Sequence, residues 1–407
     1  MPTDTVRRMQ EGTVVDAPIG NQAAPVAIDL FCGAGGLSNG LMRAGFNVVL
    51  GLDFDRHALK TFAANHPGAK AVEADIQEVT GADLLRQAGV SRVDLLAGGP
   101  SCQGFSTHGK RLEDDPRNFL YKEFLRIVEE LQPATVIMEN VKGLIISGKG
   151  KFKREVVESF ESLGYKVDGH VVRAVDYGVP QRRERVIFMA SRLGESIDFP
   201  APTHGPHDSL AVKAGQLKPY VTVQEAIGDL PKIGTESYVE PLPLDEQSES
   251  DYQSTLRDGS GQVWNHVAKP VSELAMSVIS QVAPGQGLRS VPVDKLPERF
   301  HKMRRIANGQ LRRDCTTLYY RLSLDEPAYT ITCNFKNVSS GAFTHPLENR
   351  AITAREAARL QSFPDSFIFL GSGIPRQIGN AVPPLLGERM GSAIRKHLEV
   401  AAKAAAA

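Results

Sequence analysis

The sequence predicts an α/β protein with a doubly wound, mostly parallel sheet and a second, smaller, loop-rich domain. Short apolar runs alternate with helical segments from Pro25 to about residue 199. Proline and glycine then become dense, and helical patterning returns near the end of the chain. Strands that alternate with helices at this spacing form parallel sheets with helices on both faces.

The elements of the first domain follow one another in a regular order. Apolar runs predict strands at residues 26–31, 47–52, 70–74, 93–97, 135–138, 167–175 and 185–190. Helical spacing predicts helices at 37–44 and 55–65, and near 118–131 and 152–163. In the second of these, Ala58, Leu59 and Phe62 share one face, which is the pattern of a helix packed on a core.

Changes in composition and in hydrophobic periodicity divide the chain into four parts. Residues 1–24 lack periodicity and are expected to form a flexible tail, followed by the α/β domain at 25–199. Residues 200–345 hold the proline-rich, loop-rich part and short β-like runs such as 329–332. In the final part, 346–407, helices at 353–361 and after Pro384 should pack back on the first domain, and the alanine-rich end should fray.

Composition is that of an ordinary soluble protein, with 42% hydrophobic and 23% charged residues. No run approaches the roughly 20 apolar residues of a membrane span. Residues 1–20 contain Arg7 and Arg8 but no apolar segment of a secretory signal. The 4 cysteines form no C-x-x-C pair, which argues against a zinc site or a redox dithiol. We therefore expect a cytoplasmic protein without a metal, no membrane partner, and a monomeric state.

The formal net charge of zero conceals an uneven distribution of charge. An acidic stretch at 236–258 is followed by a basic one at 301–322, where tyrosines are interleaved. The cations of the basic stretch are Lys302, Arg304, Arg305, Arg312, Arg313 and Arg321. A basic, aromatic stretch suits a phosphate backbone, although a solvated surface has the same composition.

A glycine-rich turn, Phe31-Cys32-Gly33-Ala34-Gly35-Gly36, joins the first predicted strand to the first helix. Glycines there allow a close backbone approach to a ligand and leave helix N–H groups free, although a tight strand-to-helix connection needs them too. A dinucleotide fingerprint requires a further glycine where Ser38 stands, which weakens a nicotinamide interpretation.

Asp53 and Asp75 end the second and third predicted strands. A carboxylate at such a position can bind ribose hydroxyls. Two of them beside a glycine turn suggest an adenosine-bearing cofactor without a pyrophosphate, and S-adenosylmethionine fits that description. Each acid alone could instead be a helix N-cap.

Cys102 lies in the loop Gly98-Gly-Pro-Ser-Cys-Gln-Gly-Phe-Ser106, directly after an apolar run. Ligands bind just outside the carboxyl ends of the strands in open α/β sheets, so this cysteine could be a nucleophile. A small buried thiol is the alternative. Glu139 follows another apolar run and could serve as a proton donor. Arg183 and Arg185 should share one face of an extended segment, with Arg182 on the other.

These motifs occur in the order seen in DNA (cytosine-5) methyltransferases, and the chain resembles that family from about residue 27 to 394. The motifs are Phe31-x-Gly33-x-Gly35-Gly36, Cys102-Gln-Gly-Phe-Ser106, Glu139-Asn-Val141, Gln181-x-Arg183-x-Arg185, Arg355-Glu-Ala-Ala-Arg-Leu-Gln361 and Gly379-Asn380-x-Val382. Ser101 stands where the family has a proline before its nucleophile. That departure bears on loop stiffness and rate rather than on the type of reaction.

The resemblance implies a S-adenosylmethionine-dependent methyltransferase fold and a role for each matching residue. The cofactor site would comprise Phe31, Gly33, Gly35, Gly36, Asp53, Phe54, Asp75, Ile76, Leu120, Asn380 and Val382. Asp53 would bind the ribose and Phe54 the adenine. The catalytic residues would be Cys102, Glu139, Arg183 and Arg185, with residues 200–345 as the target recognition domain.

The expected reaction is methyl transfer to C5 of a flipped cytosine in double-stranded DNA, in a specific sequence. We expect contacts to DNA from Gln103, Ser106, Arg182, Arg304, Arg305, Arg312 and Arg313, and an accompanying restriction endonuclease is conceivable. Three other hypotheses remain open: the same chemistry on transfer RNA, a catalytically silent DNA-binding protein, and a nicotinamide enzyme. Transfer-RNA enzymes of this kind have a much shorter variable region than residues 200–345.

Overall fold

The computed structural model describes residues 24–100, 120–143, 151–234, 240–245, 247–302, 306–307, 310–312 and 315–406. Seven of the described strands are β1 (Val26–Leu30), β2 (Asn47–Asp53), β3 (Lys70–Glu73), β4 (Leu95–Gly98), β5 (Thr135–Val141), β6 (Lys166–Arg173) and β7 (Glu184–Ser191). They form one sheet in the order β3-β2-β1-β4-β5-β7-β6. Only β7 runs against its neighbours. The predicted α/β class with a mostly parallel sheet is confirmed.

Helices cover both faces of this sheet. The first five are α1 (Gly36–Arg43), α2 (Arg56–Asn65), α3 (Gly81–Ala88), α4 (Leu120–Leu131) and α5 (Lys151–Ser162). Helices α3, α4 and α5 pack on one face, where Phe124 and Phe160 are fully buried. Helices α1 and α2 pack on the other, where Leu41 and Phe62 are fully buried. The sheet is therefore wound on both sides.

Helix α3 is not among the predicted elements, and strand β5 ends later than predicted. Thr80 and Asp83 form a capping box at the start of α3, and Gly89 ends the helix with φ 70°. These cap residues were the available signal for this helix. Strand β5 continues to Val141 instead of ending at residue 138, so Glu139 lies within the strand.

Short elements make up most of the region after β7. The helices are α6 (Leu210–Lys213), α7 (Val223–Ile227), α8 (Asp251–Arg257), α9 (Glu273–Ile279) and α10 (Arg299–Lys302). The strands pair in twos: β8 (His204–Gly205) with β9 (Lys218–Pro219), β10 (Leu242–Pro243) with β11 (Gln262–Val263), and β12 (Ile306–Ala307) with β13 (Gln310–Leu311). Residues 329–332 form no strand; they follow a single bridge between Ala328 and Gln181.

Three helices follow this region: α11 (Ala354–Leu360), α12 (Ile374–Asn380) and α13 (Pro384–Ala406). Helix α13 packs on α1, and the two backbones approach closely, because a Cβ on Gly40 would lie 2.3 Å from the carbonyl oxygen of Pro384. The helix continues through the alanine-rich end that was expected to fray. Alanine is the strongest helix former, which explains the difference. Within the described part of the chain, no helix has the length and apolar character needed to cross a membrane.

Helix α11 carries buried charges that pair with charged residues outside the helix. The Arg350 guanidinium donates two hydrogen bonds to Glu356, at 2.8 and 2.9 Å. Arg359 donates two to Asp365, at 2.9 and 2.7 Å, and also binds Asp229. Burial disfavours the Glu356 carboxylate, but the charges of Arg350 and His345 outweigh burial and hold its pKa well below the usual range. This network joins α11 to the region after β7.

We expect Arg359→Ala to destabilise the protein strongly, by about 3–5 kcal/mol, because the buried Asp365 carboxylate loses both of its short hydrogen bonds and keeps only the pair with Arg355 at 3.7 Å. Arg86→Ala is the matched control, since Arg86 forms an exposed pair with Asp83 and its loss should cost less than about 1 kcal/mol. Urea unfolding of both variants measures the difference. Equal effects of the two substitutions would show that the buried network does not stabilise the fold.

Candidate functional site

A cavity of about 720 Å³ lies at the carboxyl ends of the central strands. Its walls come from the residues that follow β1, β2, β3 and β4, from the end of β5, and from the end of α12. Parallel strands bring their carboxyl ends to one edge of the sheet, which is the usual ligand site of an open α/β fold. Cavities of this volume accept small organic ligands.

The glycine turn forms one wall of the cavity through Phe31, Gly33 and Gly36. Phe31 has φ 59°, a left-handed conformation that is unusual for an aromatic residue and is often found at functional sites. Gly35 does not line the cavity. It has φ 93°, and a Cβ there would lie 2.1 Å from the His66 ring, so its role is to let the turn pass against α2.

Asp53 joins the glycine turn to the end of β2. Its carboxylate accepts hydrogen bonds from the backbone N–H groups of Gly33 and Asp55, both at 2.8 Å. Burial raises the pKa of Asp53, although these hydrogen bonds favour its ionised form. Asp55, not Asp53, is the N-cap of α2, whereas Asp75 caps the 3-10 turn Ile76–Glu78. Both Asp53 and Asp75 nevertheless line the cavity.

Phe54 projects an unusually exposed aromatic ring into the same cavity, with 76% of its surface accessible. An exposed large apolar side chain in a concave site indicates a surface that packs on a ligand. Beside it, the Arg376 guanidinium pairs with Asp55 at 2.8 Å. Ile76, Leu120, Asn380 and Val382 complete the predicted set along the walls. Arg376 and Asp55 were not identified from the sequence, because they meet at the cavity only through the packing of α12 beside α2.

Glu139 and Arg185 form an ion pair in this cavity, with the Arg185 Nε and Glu139 Oε1 atoms 2.7 Å apart. The antiparallel register explains the contact, because Arg185 lies opposite Val141 and therefore diagonally from Glu139 on the same face. Gly99 leaves room for the carboxylate, since a Cβ there would lie 3.2 Å from Glu139 Oε2. The Asn140 amide donates to the carbonyl oxygen of Pro100 at 2.8 Å, which ties β5 to the end of the β4 loop.

The structure does not bring Arg183 to the cavity beside Arg185. The predicted alternation holds, since Arg182 is exposed and Arg183 is buried. However, the Arg183 side chain lies behind the cavity wall and donates to the carbonyl oxygens of Ile331, Gly379 and Ala381. Burial lowers the pKa of Arg183 well below its usual value. Strand alternation predicts which side a residue faces but not how deep its side chain lies.

Asp29 is a further cavity residue that sequence reasoning did not single out. It is 1% exposed and accepts a hydrogen bond from the Ser38 hydroxyl at 2.5 Å. Burial raises its pKa to about 7. Burial likewise raises the pKa of the neighbouring Cys32 thiol, so this thiol is not a reactive one. Ser38 stands where a dinucleotide site would need glycine, and its hydroxyl binds the buried Asp29 carboxyl group instead.

Several predicted residues lie outside the described part of the chain: Cys102, Gln103, Ser106, Arg304, Arg305 and Arg313. Arg312 is described and exposed. Arg182 is exposed as well and pairs with Glu326, away from the cavity.

The cavity residues fit an adenosine-bearing ligand. An exposed aromatic ring suits a purine, and two carboxylates at successive strand ends suit ribose hydroxyls. A glycine turn allows the backbone to approach the ligand closely. The ion pair of Glu139 and Arg185, which lines the same cavity, can bind a polar group of a second molecule. The arrangement can therefore hold two reactants in one space.

Comparison with known proteins gives consistent matches over the length of the chain. The family model described as C-5 cytosine-specific DNA methylase matches residues 26–396. The Type II methyltransferase M1.HphI of Haemophilus parahaemolyticus is 36% identical over 374 residues, which cover 91% of this chain and 86% of that protein. The Type II methyltransferase M.XorII of Xanthomonas oryzae pv. oryzae is 37% identical over 391 residues, covering 92% and 85%.

Solved structures with the same fold include a putative DNA modification methyltransferase encoded within an E. coli prophage. It superposes with a TM-score of 0.70 at 26% identity and covers 92% of this chain and 100% of its own. The S. pombe Dnmt2 methyltransferase superposes with a TM-score of 0.56, covering 92% and 99%, and its 17% identity bears on the fold alone.

The raised pKa of Asp29 predicts a pH-dependent cost to stability. Between its ordinary value of 3.8 and about 7, the folded protein keeps a proton on Asp29 that the unfolded chain releases. The free energy of unfolding therefore falls as pH rises through this window, by at most about 1.4 kcal/mol per pH unit. In Asp29→Asn, whose amide oxygen can still accept from Ser38, this fall should disappear. Urea unfolding at pH 4 to 7 measures it, and parallel profiles for both proteins would refute the assignment.

Proposed function

The chain belongs to the C-5 cytosine-specific DNA methylase family, and we propose that it transfers a methyl group from S-adenosylmethionine to C5 of a cytosine flipped out of duplex DNA. The observation that carries the proposal is that one cavity holds both the adenosine-type features and the pair of Glu139 and Arg185. Pro100, two residues before Cys102, lines the same cavity. The proposed nucleophile is therefore close in sequence to the cavity wall.

The cofactor would be held by residues of the glycine turn and the neighbouring strand ends. Phe54 would pack on the adenine, the Asp53 carboxylate would accept hydrogen bonds from the ribose hydroxyls, and Asp75 would lie beside them. The further contacts proposed are Phe31, Gly33, Gly35, Gly36, Ile76, Leu120, Asn380 and Val382. Gly35 acts by shaping the turn, since it does not line the cavity. When bound, S-adenosylmethionine supplies an electrophilic methyl group.

Cytosine C5 is a poor nucleophile because its electrons are delocalised in the ring, and covalent attack at C6 removes that obstacle. The Cys102 thiolate adds to C6, while the Glu139 carboxyl group, which takes up a proton from solvent when cytosine binds, donates a hydrogen bond to N3, so the ring becomes an enamine that is nucleophilic at C5. Once C5 carries the methyl group, a base removes the C5 proton and Cys102 leaves by elimination. The adduct thus forms and breaks one C–S bond, and the thiolate is regenerated.

Arg185 has two tasks in this proposal. Its guanidinium lies 2.7 Å from the Glu139 carboxylate and so fixes the position of that carboxyl group. Its charge also provides the positive potential that a thiolate needs at neutral pH. Because C6 is inaccessible in a stacked duplex, the cytosine must leave the helix to reach these groups.

The DNA would approach from the side of the variable region, 200–345, which we propose as the target recognition domain, with 25–199 and 346–407 forming the catalytic part. The proposed contacts are Gln103, Ser106, Arg182, Arg304, Arg305, Arg312 and Arg313. Relatives named Type II methyltransferases favour a partner restriction endonuclease for this chain. We further propose that the protein acts in the cytoplasm and as a monomer.

Methylation of transfer RNA is the rival activity, because the sequence motifs resemble those of transfer-RNA cytosine methyltransferases as well. The whole-length likeness to Type II methyltransferases favours DNA. Transfer of a labelled methyl group to duplex DNA and to transfer RNA separates the two. We expect label in the DNA alone, and label confined to transfer RNA would overturn the proposal. Bisulfite sequencing of the product then gives the recognised sequence.

We expect Cys102→Ala to lower turnover by on the order of 10⁴-fold or more, because no other group can form the C6 bond. Affinity for DNA should be largely retained, as measured by fluorescence anisotropy. On DNA containing 5-fluorocytosine, whose C5 substituent cannot leave, the unaltered protein should form a covalent adduct and the variant none. Absence of the adduct with the unaltered protein would favour a catalytically silent protein.

Replacing Arg312 and Arg313 together with alanine should weaken DNA binding and flatten its dependence on salt. Each lost phosphate contact should reduce the slope of log K against log salt concentration by roughly 0.9. Titrations between 50 and 300 mM salt measure that slope, with the exposed Arg86→Ala as the control. An unchanged slope would place the interface elsewhere on the surface.

A further inference from the structure

The Arg183 side chain connects two segments that lie far apart in the sequence. Its guanidinium donates to Ile331 O at 3.2 Å, to Gly379 O through both terminal nitrogens at 3.1 Å, and to Ala381 O at 3.0 Å. The residue is 1% exposed, and among the described residues no carboxylate lies within ion-pair distance of it. A buried cation is costly unless it is hydrogen-bonded, so these three carbonyl groups must remain in place.

Two of the three carbonyls belong to the end of α12. The last carbonyl groups of a helix have no partner within the helix and carry its negative dipole end. Gly379 and Ala381 are at this end, and Arg183 satisfies both of them. The residues between and after them, Asn380 and Val382, line the cavity. The guanidinium therefore fixes the backbone that presents this wall of the cavity.

The third carbonyl belongs to the segment 328–333, which has one buried and one exposed side. Ala328 and Ile331 are buried, whereas Tyr329 is 37% exposed and packs edge-on against Tyr320. Thr330 donates to the carbonyl oxygen of Arg182, an exposed cation. The exposed side thus carries an aromatic pair and, in Arg182, a cation that pairs with Glu326; aromatic rings and cations suit a nucleic acid.

Two further contacts lock this segment to α12. A Cβ on Gly379 would lie 2.4 Å from the backbone nitrogen of Cys333, so the two backbones are in direct contact. Gln181 accepts from the Ile331 N–H at 3.1 Å and donates to Gln361, which in turn donates to the carbonyl oxygen of Ile378 at 2.7 Å. Packed groups with such fixed contacts can carry coupling between two sites.

We propose that Arg183 is a positioning residue, whose hydrogen bonds to Ile331, Gly379 and Ala381 couple the DNA-facing segment 328–333 to the cofactor wall at Asn380 and Val382. Binding of DNA on one side and of cofactor on the other then favours the same arrangement of these backbones. This inference rests on the proposed function and assigns to Arg183 a role distinct from that of Arg185.

The test is a binding cycle with S-adenosylhomocysteine and the duplex that the unaltered protein methylates. The dissociation constant for S-adenosylhomocysteine is measured with and without saturating duplex, for the unaltered protein, Arg183→Lys and the exposed control Arg173→Lys. DNA should tighten binding on the order of 10-fold in the unaltered protein and in the control. In Arg183→Lys the factor should fall to about 3-fold or less, since an ammonium cannot bind three carbonyls with the geometry of a planar fork.

Steady-state kinetics distinguish positioning from catalysis. Arg183→Lys should raise the KM for S-adenosylmethionine more than it lowers kcat. An unchanged coupling factor would overturn the proposal. A fall in kcat alone would also overturn it and would place Arg183 with the reacting groups.

Hydrogen–deuterium exchange on the unaltered protein keeps the proposal testable if Arg183→Lys does not fold. S-adenosylhomocysteine alone should slow exchange in a peptide covering 328–335, which has no residue in the cavity. Unchanged exchange there would overturn the coupling while leaving the proposed function intact. A protein that methylates no DNA would instead overturn both.

Discussion

The antiparallel pairing of β5 with β7 is the constraint on which the site depends. It brings Glu139 of one strand and Arg185 of the other to the same face, 2.7 Å apart, in a sheet whose other described pairs apart from β6 with β7 are parallel. A shift of register by one residue would turn Arg185 to the opposite face. Since β7 lies between β5 and β6, hydrogen bonds on both of its edges fix that register.

Much of the fold follows from local patterns that can be read along the chain. Alternating apolar and helical runs predict the strands of the sheet, and the glycine turn, Asp53, Asp75 and Glu139, each placed by the sequence near the end of a strand, line one cavity. Parallel strands have few ways to arrange their carboxyl ends, so residues at those ends are brought together whatever the rest of the chain does.

Other features depend on contacts between distant segments and carry no local signal. Strand alternation puts Arg183 and Arg185 on one side, but only the position of α12 decides that Arg183 binds the carbonyls of Gly379 and Ala381. Likewise, the pair of Arg376 and Asp55 exists because α12 lies against α2. In the sequence, Asp29 is an ordinary residue of a predicted strand. Its burial and its hydrogen bond from the Ser38 hydroxyl are known only from the fold.

Because α13 packs closely on α1, the two ends of the described chain must meet before the fold is complete. Helix α1 is made early, yet Leu37 and Leu41 are covered by Leu386, Met390 and Ile394 of α13. A nascent chain still lacking α13 therefore exposes that apolar face. Packing of this early helix against its final neighbour therefore has to wait until residues 384–394 have been synthesised.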